Sequence, residues 1–382
     1  MYNKRGAVYW LGALVASLVP LFVQAQSSVT LYGRLDAGIT YVSNYAGSSA
    51  YRFEDGIWYG NRWGFKGAED LGGGLSAIFT LENGFALGTG KAFQNGALFG
   101  RQSFVGLNTQ WGAFTFGNQY DFVWDYLNLG GFNLASEGTG YSSHQGDFDG
   151  YSGADRLNNA VKFSSADFGG ARFGGMYEFG NVAGNFHQGS AWSVGGALKR
   201  SAFSTAIVYT KINNPTGRQG FDPYAQLGVT TFLGQAVATI NPATGVATDL
   251  FPSGMRVDSK GVFGAGALYV IGKLQLNVLY NNIDVKGYGT SSTMQVYQGG
   301  TQYYFAPDLF GIFDYQRTRF EESRWSRFST GINYLFSKRT SVYAGTDYLL
   351  ANAGTRAAIG NAFSPSTTNK QVDVRIGMTQ SF

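Results

Sequence analysis

Residues 28–44, SVTLYGRLDAGITYVSN, alternate with a period of two. Val29, Leu31, Gly33, Leu35, Ala37, Ile39 and Tyr41 share one phase; Thr30, Tyr32, Arg34, Asp36, Gly38 and Thr40 share the other. Successive side chains of a strand point to opposite faces, so the stretch reads as a strand with one apolar face and one wet face. The pattern recurs at 273–281, where Leu274, Leu276, Val278 and Tyr280 oppose Lys273, Gln275, Asn277 and Asn281. It recurs at 372–382, where Val372, Val374, Ile376, Met378 and Phe382 oppose Asp373, Arg375, Thr379 and Ser381.

Working outward, the same reading places sixteen strands, starting near 28, 56, 74, 97, 112, 157, 170, 191, 202, 261, 273, 293, 309, 324, 341 and 370. Their connections alternate between tight turns (70–73, 108–112, 167–169, 199–200, 272, 306–308, 337–339) and longer segments, of which 120–156 and 213–260 are very long. Short turns at one end and long loops at the other describe an all-β antiparallel meander that closes as a transmembrane barrel. A soluble sandwich or propeller of this length also alternates, but its outward face would be charged. Here one face is apolar on nearly every strand. Trp111, Phe168, Phe305, Phe336 and Phe382 fall near the short-turn end, as interface girdle residues would.

Composition agrees. The 382 residues include 56 glycines, 31 phenylalanines and 24 tyrosines, but only 7 prolines and no cysteine. That excludes a disulfide scaffold, an iron–sulfur protein and a cysteine enzyme. The aromatic content excludes a disordered chain, and the glycine content argues against a helical bundle. A net charge of +4 is too weak to suggest nucleic acid as a partner. Lys4 and Arg5 precede an apolar stretch from Ala7 to about Val23, followed by Val23-Gln24-Ala25, with small residues where a signal peptidase reads. Residues 1–25 are therefore expected to be a signal peptide and 26–382 a single exported barrel domain, near +2 without those two charges.

Residues 61–85, NRWGFKGAEDLGGGLSAIFTLENGF, resemble the second and third strands of general β-proteobacterial trimeric outer-membrane porins. SVTLYGRLDAGITY (28–41) is similar to their first strand, RQSFVGLNTQWGAFTFGNQYD (101–121) to their fourth and fifth, and RLNNAVKFSS (156–165) to their sixth. The terminal Phe382 resembles the aromatic that the barrel-assembly machinery reads. The likeness runs over 28–181 and from about 327 to the end; between 213 and 300 only the strand pattern is recognisable. It implies a sixteen-stranded homotrimer in outer-membrane lipid, whose third external loop folds into the lumen. A loop at 86–97 would reach over the neighbouring subunit.

On that reading, 120–156 is the constriction loop and carries Asp121, Asp125, Glu137, Asp147, Asp149 and Asp155 against Arg156. Arg34, Arg62, Lys66, Arg101 and Lys162 fall on wet phases of the wall, with Glu82 among them. Trp63 and Phe65 set the phase of the second strand. A basic wall is expected to face an acidic loop and order water and ions at the narrowest point.

Catalytic, metal and cofactor readings find little support. Ser142, Ser143, His144 and Asp147 lie in one loop with no strand to hold a triad, so His144 reads as a solvated loop histidine. His144 and His187 share no face that would hold zinc. Gly88-Thr89-Gly90-Lys91 lacks the first glycine and the helix of a phosphate loop, and no calcium-loop spacing occurs. The expected function is a non-enzymatic, cofactor-free channel for passive diffusion of ions and small hydrophilic solutes. A solute-specific channel would show a row of lumenal aromatics, of which only Tyr32 is evident; a plugged structural or adhesin barrel is the other alternative. Exposed loop charges are screened within about 8 Å at physiological salt. The rigid wall arginines therefore favour a weak anion preference.

Overall fold

A computed structural model describes residues 27–132, 143–153, 155–214, 221–360 and 362–382. The wall begins with β1 (Ser28–Tyr45). β2 (Ser48–Asp55) and β3 (Arg62–Gly72) together make the next crossing, followed by β4 (Leu75–Gly84), β5 (Gln102–Thr109) and β6 (Gly112–Tyr120). Beyond the third long loop come β7 (Arg156–Ser165), β8 (Ala171–Glu178), β9 (Ala191–Arg200) and β10 (Phe203–Asn213). The next long loop holds a short helix, α1 (Pro223–Leu227), and two small hairpins. These are β11 (Thr231–Phe232) with β12 (Gln235–Ala236), and β13 (Ala238–Ile240) with β14 (Ala247–Asp249). The wall resumes as β15 (Ser259–Ile271), β16 (Leu274–Gly287), β17 (Thr290–Ala306) and β18 (Leu309–Phe320). It finishes with β19 (Ser323–Leu335), β20 (Thr340–Ala351) and β21 (Lys370–Ser381).

Each wall strand pairs antiparallel with its neighbour, and β1 pairs with β21 from Arg34↔Ser381 to Val42↔Asp373. That pairing closes a sixteen-stranded antiparallel barrel, with β2 and β3 sharing one crossing. The starts read from sequence agree with the observed strands to within a few residues, except at two places. The crossing expected as one strand from 56 is broken by residues 56–61, which turn inward and bury Ile57 and Trp58. The Asp36 carboxylate draws that segment in by accepting Trp58 N at 2.7 Å and Tyr59 N at 3.4 Å. The strand expected from 97 starts at Gln102, because Gln94 and Asn95 take positive φ and the amide of Asn83 binds Leu98 O at 2.6 Å instead.

The apolar phase faces out. Val29, Leu31, Ile39, Val278, Val374 and Ile376 are all exposed, while Asp36 and Arg375 on the other phase are buried. Trp111, Phe168, Phe305, Phe336 and Phe382 are exposed around the short-turn end. The buried apolar cluster is not a central core. It fills the long-loop end, where Phe148 stacks on Phe221 at 4.2 Å, and Phe232 packs on both Phe221 and Phe320 at 5.3 Å.

The third long loop follows β6 as a ten-residue helical segment, Val123–Phe132, of π type. It lies against the lumenal face of the wall where that face lacks side chains. A Cβ at Gly264 would stand 2.5 Å from Leu127 Cδ1. Gly264→Val should therefore displace the loop rather than the wall, at a cost of about 1–3 kcal/mol. Altered single-channel conductance with an unchanged heat-modifiable folded band is the expected result.

Candidate functional site: a cation-lined lumen

The third loop is fastened at its root by its own acids. Asp121 accepts Trp124 N at 3.2 Å and the Thr210 hydroxyl of β10 at 2.6 Å. Lys162 of β7 donates to Asp125 at 2.5 Å and to Tyr120 O at 2.7 Å. Lys260 of β15 donates to Asp155 at 2.5 Å and to Phe148 O at 3.1 Å.

The distal part of the loop is fastened to the far wall. His144 is buried, with Nδ1 2.5 Å from Asp149 and Nε2 2.8 Å from Gln298 of β17, and its ring stacks on Tyr151. The side-chain amide of Asn281 on β16 also donates to Asp149. Gln145 donates to Ala358 O at 2.7 Å. Arg327 of β19 donates to Ser143 O at 2.8 Å while gripping Asp347 of β20 with two nitrogens, at 3.1 and 2.6 Å. The solvated histidine expected from sequence is thus a buried anchor, because the loop's own Asp149 and the Gln298 amide on the wall take its two ring nitrogens.

Burial lowers the tendency of His144 to hold its proton, but the Asp149 carboxylate outweighs this and its pKa rises. Burial alone would raise Asp149; His144 and the hydrogen bonds from Asn281 and Tyr151 N outweigh it and hold the carboxyl down. Asp147 is pushed up to about 7 by burial and then by the neighbouring Asp149 charge, although Ser152 N donates to it at 2.6 Å. Asp121 is likewise pushed up to about 7 by burial, with Asp155 adding to the shift.

The basic wall lies on the lumenal phase of β1, β3 and β4. Arg34 faces Arg62 in register, and Tyr32, Gly64 and Glu82 form the next row. Gly64 leaves the gap through which the Tyr32 hydroxyl reaches Glu82 at 3.0 Å. Lys66 stands one row nearer the short turns, with Nζ 5.5 Å from the Tyr32 ring. The Arg34 guanidinium stacks 4.1 Å from the ring of Tyr59. Arg101 is not on the lumenal phase of β5, as expected from sequence; Gln102 is. Arg101 lies just ahead of the strand, and its Nε still reaches Glu82 at 2.8 Å.

The expected confrontation of a basic wall with an acidic loop is therefore not what the described residues form. Asp121, Asp147 and Asp149 are buried in the loop's own anchorage, and Asp125 is paired with Lys162. Lys162 is consumed in that tether. Glu137 lies outside the described residues. What faces the lumen from β1–β4 is Arg34, Arg62 and Lys66, joined by Arg101, with Glu82 as the carboxylate among them.

A second lumenal cluster escaped the sequence reading. The Asp36 carboxylate accepts the Tyr343 hydroxyl at 2.6 Å and lies 3.6 Å from Arg375. Arg375 also donates to Tyr343 at 2.7 Å and to Thr40 at 2.8 Å. The wet phase marked Asp36 and Arg375; their meeting depends on closure of β1 on β21. Among the described residues no group of three His, Cys, Asp or Glu could hold a metal ion.

Residues 12–354 match the family model described as Gram-negative porin. The chain belongs to the Gram-negative porin family. It is a protein of the bacterial outer membrane. An outer membrane porin protein of Bordetella pertussis is 35% identical over 189 residues, 44% of this chain and 47% of that protein. Outer membrane porin protein 32 of Delftia acidovorans is 36% identical over 162 residues, 41% of this chain and 45% of its own. The chain thus spans about half the length of the curated relatives it matches. Among solved structures, an anion-selective porin from Comamonas acidovorans superimposes with a TM-score of 0.74, covering 94% of this chain and all of that one at 21% identity. The trimer form of OmpT from Vibrio cholerae does so with 0.64, at 93% and 99% coverage and 15% identity. These two likenesses concern the fold.

The Asp147 carboxyl gives this porin a pH signature. Its folded pKa of about 7 stands above the ordinary 3.8, so its contribution to stability is complete below about 4 and is lost as pH rises toward 7. Asp147→Asn keeps an acceptor for Ser152 N and cannot ionise. The variant should match wild type at pH 4 and unfold at a higher temperature than wild type at pH 7.5, measured by thermal denaturation in detergent.

Proposed function

We propose that the protein forms a water-filled channel for passive diffusion of ions and small hydrophilic solutes, with a weak preference for anions. The observation that carries this reading is the imbalance of lumenal charge. Arg34, Arg62 and Lys66 gather on rigid wall strands, joined by Arg101 just ahead of β5 and paired with Glu82, while the loop acids Asp121, Asp147 and Asp149 are buried in tethers and Asp125 is matched by Lys162. Arginine keeps its charge throughout physiological pH. Fixed cations in a narrow, poorly hydrated passage raise the local concentration of anions. A sixteen-stranded barrel is wide enough for water, and the inward loop narrows it. No catalytic step or cofactor belongs to this reading.

The working unit is proposed to be a homotrimer. Val29, Leu31 and Ile39 of β1 and Val374, Ile376 and Met378 of β21 make an exposed apolar face around the seam. The loop at 86–97 is the proposed latch. Its Gly88 N donates to Asp55 at the end of β2 at 2.8 Å, which ties the loop to the strand beside β1. Residues 1–25, outside the described residues, are proposed as a cleaved export signal. Phe382 is proposed as the mark read by the assembly machinery. Its backbone exchanges two 3.1 Å hydrogen bonds with Gly33, and its ring is exposed on the outer wall.

Three measurements test these readings. In a planar bilayer under a KCl gradient, the wild-type reversal potential should report anion preference, and Arg62→Gln or Arg101→Gln should move it toward cations. Cation preference in the wild type, or an unmoved potential in both variants, rejects the assignment; a closed, non-conducting protein rejects the channel in favour of a plugged barrel. Native electrophoresis should give a heat-modifiable species near three times the subunit mass. Deleting Phe382 should abolish assembly in cells while refolding into detergent persists; equal loss of both would reduce its role to packing.

A further inference from the structure

We propose that the outer wall of β17–β19, at the long-loop end, is a binding site for the phosphate-bearing headgroup of an outer-leaflet lipid. The outward positions of β18 toward that end read Phe313, Tyr315, Arg317 and Arg319. Beside them, β19 presents Phe328, Ser326 and Arg324, and β17 presents Tyr297 and Gln295. Register sets Arg319 between Gln295 and Arg324, and Arg317 between Tyr297 and Ser326. Three guanidinium groups thus share one outward patch two rows deep.

Aromatic rings in the lower row of the patch and in the row just below it fix its depth. Tyr280 and Tyr297 approach to 5.0 Å between ring centroids, and Tyr315 and Phe328 to 4.9 Å. Outward aromatics of this kind sit at the boundary between acyl chains and headgroups. Below them Val278, Phe313 and Ile332 are exposed, as a surface for acyl chains. The arginines therefore stand in the headgroup layer, on the outer side of the membrane.

The patch is cationic and not neutralised from within. Among the described residues, Arg317, Arg319 and Arg324 form no ion pair. Arg317 donates to the Ser326 hydroxyl at 2.6 Å, Arg324 donates to the carbonyls of Glu321 and Ser323, and Arg319 lies 6.0 Å from the Tyr297 ring centroid. The nearby acids are turned elsewhere or stand apart. Glu321 accepts Leu233 N from the long loop, Asp284 accepts the Thr293 hydroxyl and has Lys286 two residues along its strand, and Glu322 is exposed in the turn. Like charges directly opposed across two strands destabilise a sheet. A phosphate between Arg319 and Arg324 removes that repulsion and takes the bidentate geometry that guanidinium offers. The apolar rows beneath distinguish a lipid phosphate from a free one, because only a lipid fills both parts of the surface.

Native mass spectrometry of the detergent-purified protein tests this, with bisphosphorylated lipid A as the probe. Wild type should bind it at least tenfold more tightly than the triple variant Arg317→Gln, Arg319→Gln, Arg324→Gln. Lys199→Gln, exposed at the short-turn end, should bind like wild type. Dephosphorylated lipid A should bind wild type as weakly as the triple variant binds the probe, and inorganic phosphate should not displace the probe. Equal binding by wild type and triple variant overturns the proposal, and displacement by inorganic phosphate replaces the lipid with a free anion. Arg319→Gln alone, which removes no hydrogen bond within the protein, should weaken binding at least threefold and serves if the triple variant fails to fold. Single-channel conductance of either variant should equal that of wild type, so failure here leaves the channel reading standing.

Discussion

Closure of the sheet is the constraint from which the other features follow. In the hydrocarbon layer no water is present to satisfy a peptide N–H or C=O, so an open strand edge cannot persist there. The register from Arg34↔Ser381 to Val42↔Asp373 removes the last two edges. Phe382 extends the seam by one further exchange with Gly33. Once the wall is closed, each strand has one face toward lipid and one toward the lumen, and a period of two in the sequence becomes an inside and an outside.

The enclosed lumen then dictates what becomes of the inward loop. A segment folded inside a barrel loses water, and its charged groups must find partners or give up their charge. The third loop does both. Asp125 and Asp155 meet lysines on the wall, Asp149 meets His144, and Asp121 and Asp147 have carboxyls pushed toward neutrality. Among the described residues, anchoring consumes the loop's negative charge. On the proposed reading, the basic wall of β1–β4 is left to set the field in the passage.

The alternation around Leu31, Arg34 and Ile39 was enough to place the first strand, its lipid face and its wet face, since side-chain direction in a strand is a local property of the backbone. The same holds for β16 and β21, and the alternation of tight and long connections was enough to distinguish the two ends. The break between β2 and β3 was not legible, because it depends on Asp36 capturing amides more than twenty residues away. Neither was the role of His144, because its partner Gln298, and Asn281 that holds its other partner Asp149, lie on strands that come near only after the barrel has closed. The charges of Asp121 and Asp147 were visible, but their direction was not. A loop has no periodicity from which to read one.

By itself, then, the sequence determined the class of fold, the two faces of the wall, the polarity of the barrel and the cations Arg34, Arg62 and Lys66 on its wet face. All of these rest on contacts between near neighbours or on the composition of whole strands. Only the tertiary structure decided which charges remain facing the lumen. It spent the loop acids on tethers, brought Arg101 to Glu82 from outside its strand, and joined Asp36 to Arg375 across the seam. Those outcomes depend on pairings between residues as far apart as the two ends of the chain, and closure alone brings such residues within reach of one another.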